Sequence, residues 1–499
     1  MEIIRNFPLF TIVLSLFSGA LCFLLDGQKA RRYTLTYEVI LIGLTACIFA
    51  YTLSSGTSFT YTMGEFPAPW GNEIRAGVLE GLFACVFMVI MFCSMLAGKR
   101  FVKTDIDASK INLYYSLINL MTAAIMSLVW TNDIFTGYVF LEILTLTSCG
   151  SLIVREIGRT SLAAMRYMIM NLVGSGLYLM GIILLYDITG HLLMVPMHET
   201  IQTLWADPSS ATILTLALGI LTIGLSIKSG LFPFHFWMPD TYGWATPASG
   251  SVLSSLVSKV YIFLLVKIYF RVVGLGILNQ TPIPNILLVL GMCGIVFGSV
   301  EALRADNINR MVAFSSAAQI GYIYMGIGLG TEAGFLAAFF HILAHSVTKS
   351  LLFLTTPRLA DVSGSSLKFS ALTGSAKRNP VAGFFFLMGA LSMIGIPIFA
   401  GFASKIQFGI AAVDSSSTLK MVLVMIVLAI SSALNAFYFL RTVLRIYSVT
   451  QHSQADEKVY VSGLDYTIPM VVLTAANLGL GLVSPVVLNL ITTGMRMFA

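Results

Sequence analysis

Charge is what this sequence has least of. Only 10% of its 499 residues are Asp, Glu, Lys or Arg, against 57% hydrophobic. A soluble globular chain carries about 25% charged residues, so composition excludes a soluble fold. Cysteine is also sparse. The six (Cys22, Cys47, Cys85, Cys93, Cys149, Cys293) lie in apolar stretches and none forms a CxxC pair. They read as core thiols and not as metal ligands or disulfides. Long polar connections are missing too, which leaves no room for a nucleotide-binding or redox module. The net charge of +6 calls for no nucleic-acid partner, because topology accounts for it.

Hydrophobic runs fill the space instead. A run of about 20 apolar residues crosses a ~30 Å hydrocarbon core. Fourteen spans are predicted: 7–25, 35–54, 79–98, 110–130, 133–153, 166–186, 212–237, 248–272, 283–302, 309–329, 333–355, 380–411, 419–446 and 466–492. Their lack of strict alternation excludes a β-barrel, so the class is an all-α polytopic membrane protein. The first run starts near Phe7 and is long enough to stay in the bilayer, so it reads as mature structure and not as a cleaved leader. Basic residues test the count. Loops after odd-numbered spans hold 19 of the 29 Lys and Arg residues, and the remaining loops and termini hold five. Basic loops stay inside, which predicts an even span number with both termini outside. The expected location is the cell membrane of a prokaryote.

Five basic residues remain, all inside predicted spans: Lys228, Lys259, Lys267, Lys349 and Lys405. A charge at the bilayer centre costs ~2.5–3.5 kcal/mol on insertion scales, so such residues pair or do work. Glu142 reads as the only carboxylate deep in a span. Glu38, Glu80, Asp133 and Glu301 fall near span ends, where solvation is expected, and Lys267 reads as a snorkelling residue. Pro233 follows Lys228 and breaks span 7; Pro397 breaks span 12 ahead of Lys405. Broken spans are tolerated where they line a cavity or are buried in protein. Two breaks in corresponding places suggest an internal repeat, spans 4–8 and 9–13. The division is then 1–109, 110–273, 274–447 and 448–499. His341, His345 and Lys349 are spaced i, i+4, i+8 and share one face of span 11. His235 is placed to hydrate the first break. His191 and His198 fall in an outer loop.

These residue types suit proton transfer. A lysine in an apolar setting gives up its proton more readily, and a nearby carboxylate favours its return. Moving Glu142 relative to Lys228 would thus load or release a proton. Histidine, with an ordinary pKa of ~6.5, suits relay between such sites. Arginine, which cannot deprotonate, is absent from the mid-span charges. Two other classes compete. A stand-alone secondary transporter for a small solute or ion also uses broken helices, but rarely a file of lysines over four spans. An intramembrane metalloenzyme would need His341, His345 and Glu142 together, although they lie on distant spans. No cofactor and no metal is expected.

At these residues the chain resembles a known family: the antiporter-like subunits of respiratory complex I, membrane-bound hydrogenases and multisubunit Na+/H+ (Mrp) antiporters. The stretches that carry the resemblance are NDIFTGYVFLEILTLTS, KSGLFPFHFWMPDTYGWATPASGSVLSSLVSKVY, ADNINRMVAFSSAAQIGY, HILAHSVTKSLLF and GIPIFAGFASK. It is clearest over about residues 75–450. The resemblance implies 14 core helices with two inverted five-helix repeats and broken helices 7 and 12. It implies that Glu142 pairs with Lys228. It also implies a polar axis through Lys259, His341, His345 and Lys405, and partners that include further antiporter-like membrane subunits, with H+ and in some members Na+ as the transported ions. Lys405 matches the branch with lysine in span 12, and the chain looks most like the Mrp D type or the N type of complex I. One departure is Asn309-Arg310, where the family often has Lys-Arg.

Overall fold

A computed structural model describes residues 2–66, 71–448, 460 and 462–498. Lys458, counted above among the inner basic residues, lies outside them. The described chain is helical almost throughout, with one two-stranded hairpin, Phe59–Thr62 paired antiparallel to Glu73–Ala76. Every predicted span coincides with helix. Eleven helices are long and apolar enough to cross a membrane, or twelve if a bent C-terminal pair counts as one. The other two stretches are the Ile308–Gly328 helix and the pair Pro380–Ile394 and Ala400–Val413, whose halves are each short.

Burial sorts the helices. The Phe7–Leu24 and Thr418–Tyr447 helices present wide apolar faces outward, as lipid-facing helices do. Two helices are enclosed on every side. The whole apolar window of Pro247–Val273 is buried, and 94% of that of Glu332–Asp361. These two carry Lys259, His341, His345 and Lys349. These four residues are therefore shielded from lipid by their helices, whereas Glu142 and Lys228 lie on helices with outward apolar faces.

Close crossings set the geometry around them. The Gly158–Thr189 and Pro208–Ser229 helices touch at Gly174 and Gly224. A Cβ on Gly224 would lie 2.6 Å from the Gly174 carbonyl oxygen. Glycine removes that clash and brings the two backbones together, as small residues do between membrane helices.

Both expected breaks are present, but proline does not end the helices. Each first half stops at a left-handed glycine: Gly230 (φ 80°) after Ser229, and Gly395 (φ 92°) after Ile394. At each, two amide groups turn back onto the last carbonyls. Gly230 N donates to Ser226 O at 3.0 Å and Leu231 N to the same oxygen at 2.9 Å; Gly395 N and Ile396 N both donate to Leu391 O at 3.1 Å. This is the usual glycine C-cap. Pro233 and Pro397 lie beyond it and keep the chain from re-entering the same helix. A third break lies outside the predicted pair. Leu464–Leu482 and Ser484–Arg496 meet at 82°, so span 14 is not one straight helix.

Candidate functional site

The site begins at the first break. Lys228 occupies the last turn of Pro208–Ser229, where the exposed carbonyls of a helix end favour a cation. Its side chain is fully buried. The ammonium donates to Thr145 Oγ1 at 2.7 Å and lies 3.4 Å from Glu142 Oε1. It also sits over the Tyr261 ring, 5.6 Å from the centroid. Ser175 donates to the same Glu142 oxygen. Glu142 is 23% exposed, so this carboxylate keeps a face toward the outside of the chain. Gly174 is needed here as well: a Cβ would approach Lys228 Cγ to 3.0 Å.

Lys259 lies in the enclosed Pro247–Val273 helix, just past a π turn over Leu253–Val257. Such widened turns recur at functional sites. The ammonium folds back on the Ser254 carbonyl within that turn and donates to Ser258 Oγ at 3.1 Å. Lys349 donates to Val312 O at 2.8 Å and to Ser315 Oγ. Lys405 donates to Ile394 O at 2.6 Å, which caps the half-helix ending at Gly395. None of these three lysines has a carboxylate partner among the described residues. Their partners are neutral oxygens, which accept from an amine as well as from an ammonium, so no counter-charge fixes either protonation state.

His341 and His345 bridge the gap. Their rings are 5.8 Å apart and nearly parallel, at 13°. Tyr322 stacks on His341 at 5.4 Å. His341 Nδ1 is 2.7 Å from Ser404 Oγ, in the second half of the broken helix. Its Nε2, both ring nitrogens of His345 and Gln319 Nε2 have no protein partner. These side chains, with Thr348, Ser392 and Lys405, surround a cavity of ≈ 10 Å³. That is about the space one water needs. The second half-helix is seated by polar side chains: Asn477 Oδ1 accepts from Ala400 N at 3.4 Å and Ser392 Oγ from Gly401 N at 3.3 Å.

Five of the seven candidate proton-carrying residues are buried, Glu142 and Lys405 are partly so, and two direct groupings emerge: Glu142 with Lys228, and His341, His345 and Lys405 around one cavity. Lys259 and Lys349 occupy the two central helices between them. His235 is half-buried at the first break, its ring 5.6 Å from that of Phe232 and its Nδ1 without a partner. Among the described residues no group of three or more His, Cys, Asp or Glu converges as metal ligands would.

Four expectations are corrected. Lys267 does not snorkel. Its helix meets no lipid, so there is no interface to reach; the ammonium is fully buried, 2.8 Å from Val129 O and 3.7 Å from Glu80 Oε1. Glu80 is not solvated either. It is covered by the hairpin residue Arg75, with which it is ion-paired, and by the C-terminal residues to which Arg75 and Arg271 donate. Glu38 is not near a helix end. In the sequence Gln28–Arg32 reads as loop, but the helix runs from Gly27 to Ser55. Glu38 therefore lies three turns inside, fully buried, with neither carboxylate oxygen partnered. Asp133 is buried as well, its side chain accepting from Thr136 N at the start of the Ile134–Ile153 helix, so Glu38, Glu80 and Asp133 are the buried carboxylates among the described residues and Glu142 is only partly covered. The cysteines divide: Cys22, Cys93 and Cys149 are buried, and Cys47 is exposed.

Residues 131–434 match the model of the NADH:quinone oxidoreductase/Mrp antiporter transmembrane family. The chain belongs to this family. The matched region contains every residue of the axis. The N subunit of the NADH-quinone oxidoreductase of Desulforudis audaxviator is 30% identical over 89% of the chain and 86% of that protein. The D subunit of the Na(+)/H(+) antiporter of Bacillus subtilis is 24% identical over 81% of the chain and 80% of its own length. Among solved structures, a chain of the archaeal membrane-bound sulfane sulfur reductase superposes with a TM-score of 0.87 at 23% identity, covering 100% of this chain and 98% of that one. A chain of the Mrp complex from Dietzia gives 0.86 at 21%, covering 99% and 97%. Both solved chains thus share this fold from end to end.

Proposed function

We propose that this family member is a proton-translocating subunit of a larger membrane complex, moving H+ along Glu142, Lys228, Lys259, Lys349, His345, His341 and Lys405. The observation that carries the reading is the Glu142–Lys228 pair. A single carboxylate faces a fully buried lysine at the end of a broken helix, an arrangement costly in lipid unless it works. Motion of either partner changes how tightly the lysine holds its proton. Farther on, lysines with neutral partners and two stacked histidines beside a water-sized cavity give the proton successive seats. Broken helices at both ends are where such carriers place ion paths.

The names of the relatives place such chains in the NADH-quinone oxidoreductase and in the Na(+)/H(+) antiporter. The neighbouring subunits of this chain are then other membrane proteins, including further antiporter-like ones, and energy comes from redox chemistry or a Na+ gradient outside it. In this reading residues 110–273 and 274–447 are the two inverted repeats, flanked by 1–109 and 448–499, and the termini face outward in a prokaryotic cell membrane. The test is proton translocation by the intact complex in sealed vesicles. Lys228→Ala should abolish it, and near-normal translocation by that variant overturns the reading.

A further inference from the structure

Among the described residues, one buried acid outside the axis has neither carboxylate oxygen partnered. Glu38 sits inside the N-terminal helices, and its two carboxylate oxygens are buried without a hydrogen-bond partner. The titratable groups within electrostatic range of it are Cys22, Cys93, Tyr37, Tyr114 and Tyr115. All are ordinarily uncharged at neutral pH, so no fixed cation among the described residues compensates a carboxylate there. An isolated buried carboxylate is very costly, and the neutral acid costs far less. The position suits a group that holds a proton and passes it on.

Its surroundings supply two ends of a route. Toward the basic face, Arg31 lies two turns earlier on the same helix. Arg31, Lys103 and Tyr115 line a pocket of ≈ 200 Å³. The Tyr115 hydroxyl is buried and unpartnered, and both Arg31 and Glu38 lie within electrostatic range of it. Toward the axis, the Gly27–Ser55 helix packs on Val78–Ala97, with Gly81 against Phe49. The two helices run antiparallel, so this register sets Glu38 level with Phe92–Ser94. Ser94 belongs to a hydroxyl triad across three helices: Ser94 Oγ is 2.8 Å from Ser251 Oγ and 3.3 Å from Ser350 Oγ, and the last two are 2.8 Å apart. Ser350 adjoins Lys349. One turn beyond Ser251, the Ser254 carbonyl accepts from Lys259.

We propose that Glu38 is a protonatable relay site that connects the pocket at Arg31 and Tyr115, through the Ser94–Ser251–Ser350 hydroxyls, to the Lys259 and Lys349 section of the axis. Water bonded to the free carboxylate oxygens carries the proton across the gap to Ser94. The inference rests on the proton-translocating reading above.

The test uses the intact complex in vesicles. Glu38→Gln is nearly isosteric with the neutral acid, so a purely structural role survives it. The expected result is a loss of translocation of at least about tenfold, a conservative bound for a proton-transfer group, with Glu38→Asp retaining part of the rate. Unchanged translocation in Glu38→Gln overturns the proposal. Lys228→Ala runs alongside as the control: if it too leaves translocation intact, the proton-translocating reading has failed instead. Should Glu38→Gln not assemble, Ser94→Ala interrupts the same route, and an unaltered rate in that variant also overturns it.

Discussion

Replacing Glu142 by Gln removes one charge and little volume, which makes it the sharpest probe of the axis. The carboxylate lies 3.4 Å from the Lys228 ammonium. Two unit charges about 4 Å apart attract by roughly 4 kcal/mol at an effective dielectric of 20. Glu142 is 23% exposed, which screens part of this. A range of roughly 2–4 kcal/mol is reasonable, or about 30- to 1,000-fold in how tightly Lys228 retains its proton. Ser175 and Thr145 remain to bond the new amide and the lysine, so the local fold survives. The assay is proton uptake into sealed vesicles containing the intact complex, driven by its own donor or by an imposed Na+ gradient, with assembly checked on native gels. Glu142→Gln should assemble normally and lose at least about nine-tenths of translocation, a looser bound than the roughly 30-fold low end of that range. Lys228→Met should do the same. Because the two act as one unit, the double variant should be no worse than either alone. Near-normal translocation in Glu142→Gln, or losses that multiply in the double variant, would refute the pair as a loading site.

Lys405→Ala and Lys267→Ala should differ in kind: the first should assemble and fail to translocate, whereas the second uncovers the Glu80–Arg75 cluster and should lower the yield and melting temperature of the complex, so identical phenotypes would contradict the assignment. Gly395→Ala meets two obstacles, a left-handed backbone (φ 92°) and a Cβ 3.0 Å from Lys405 Cδ. The left-handed strain alone costs about 1–2 kcal/mol, so a lower melting temperature and weakened translocation are expected together, and a silent substitution would show that the Lys405–Ile394 cap is unimportant. The purified chain should carry no stoichiometric metal, flavin or haem by elemental analysis and absorbance, and a bound cofactor at one per chain would overturn the non-redox reading.

Much of this architecture is legible in the sequence because the bilayer imposes one length on every element. Both interrupted helices are visible there as well, though the signal that ends them is glycine and not the proline that catches the eye. What the sequence hides has a common physical cause. Hydropathy locates the edges of apolar runs, not of helices. The Gly27–Ser55 helix begins in the polar run Gly27–Arg32, so Glu38 looks terminal when it is internal. Lys267 looks interfacial because distance along a span says nothing of what surrounds it, and its helix is enclosed on all sides. The Arg75–Glu80–Lys267 cluster joins a hairpin, two helices and the C-terminal residues. Only the five-residue spacing of Arg75 and Glu80 hints at it.

The pattern of partners separates the buried charges into two kinds. Glu80 has two cations, one of them an arginine that cannot lose its charge, together with backbone carbonyls that fix the positions of those cations. Such an arrangement is satisfied in a single protonation state, and motion within it exposes uncompensated charge. It suits holding the hairpin and the C-terminal residues against the core. Lys228 has one carboxylate that is partly exposed, and Lys259, Lys349 and Lys405 have only neutral oxygens. His345 has no protein partner at either nitrogen. No fixed counter-charge ties these groups to a single protonation state, and that freedom is what a proton path requires. Burial alone would have placed Lys267 among them. The distinction between a charge that is held and a charge that is free to come and go rests on what each one touches.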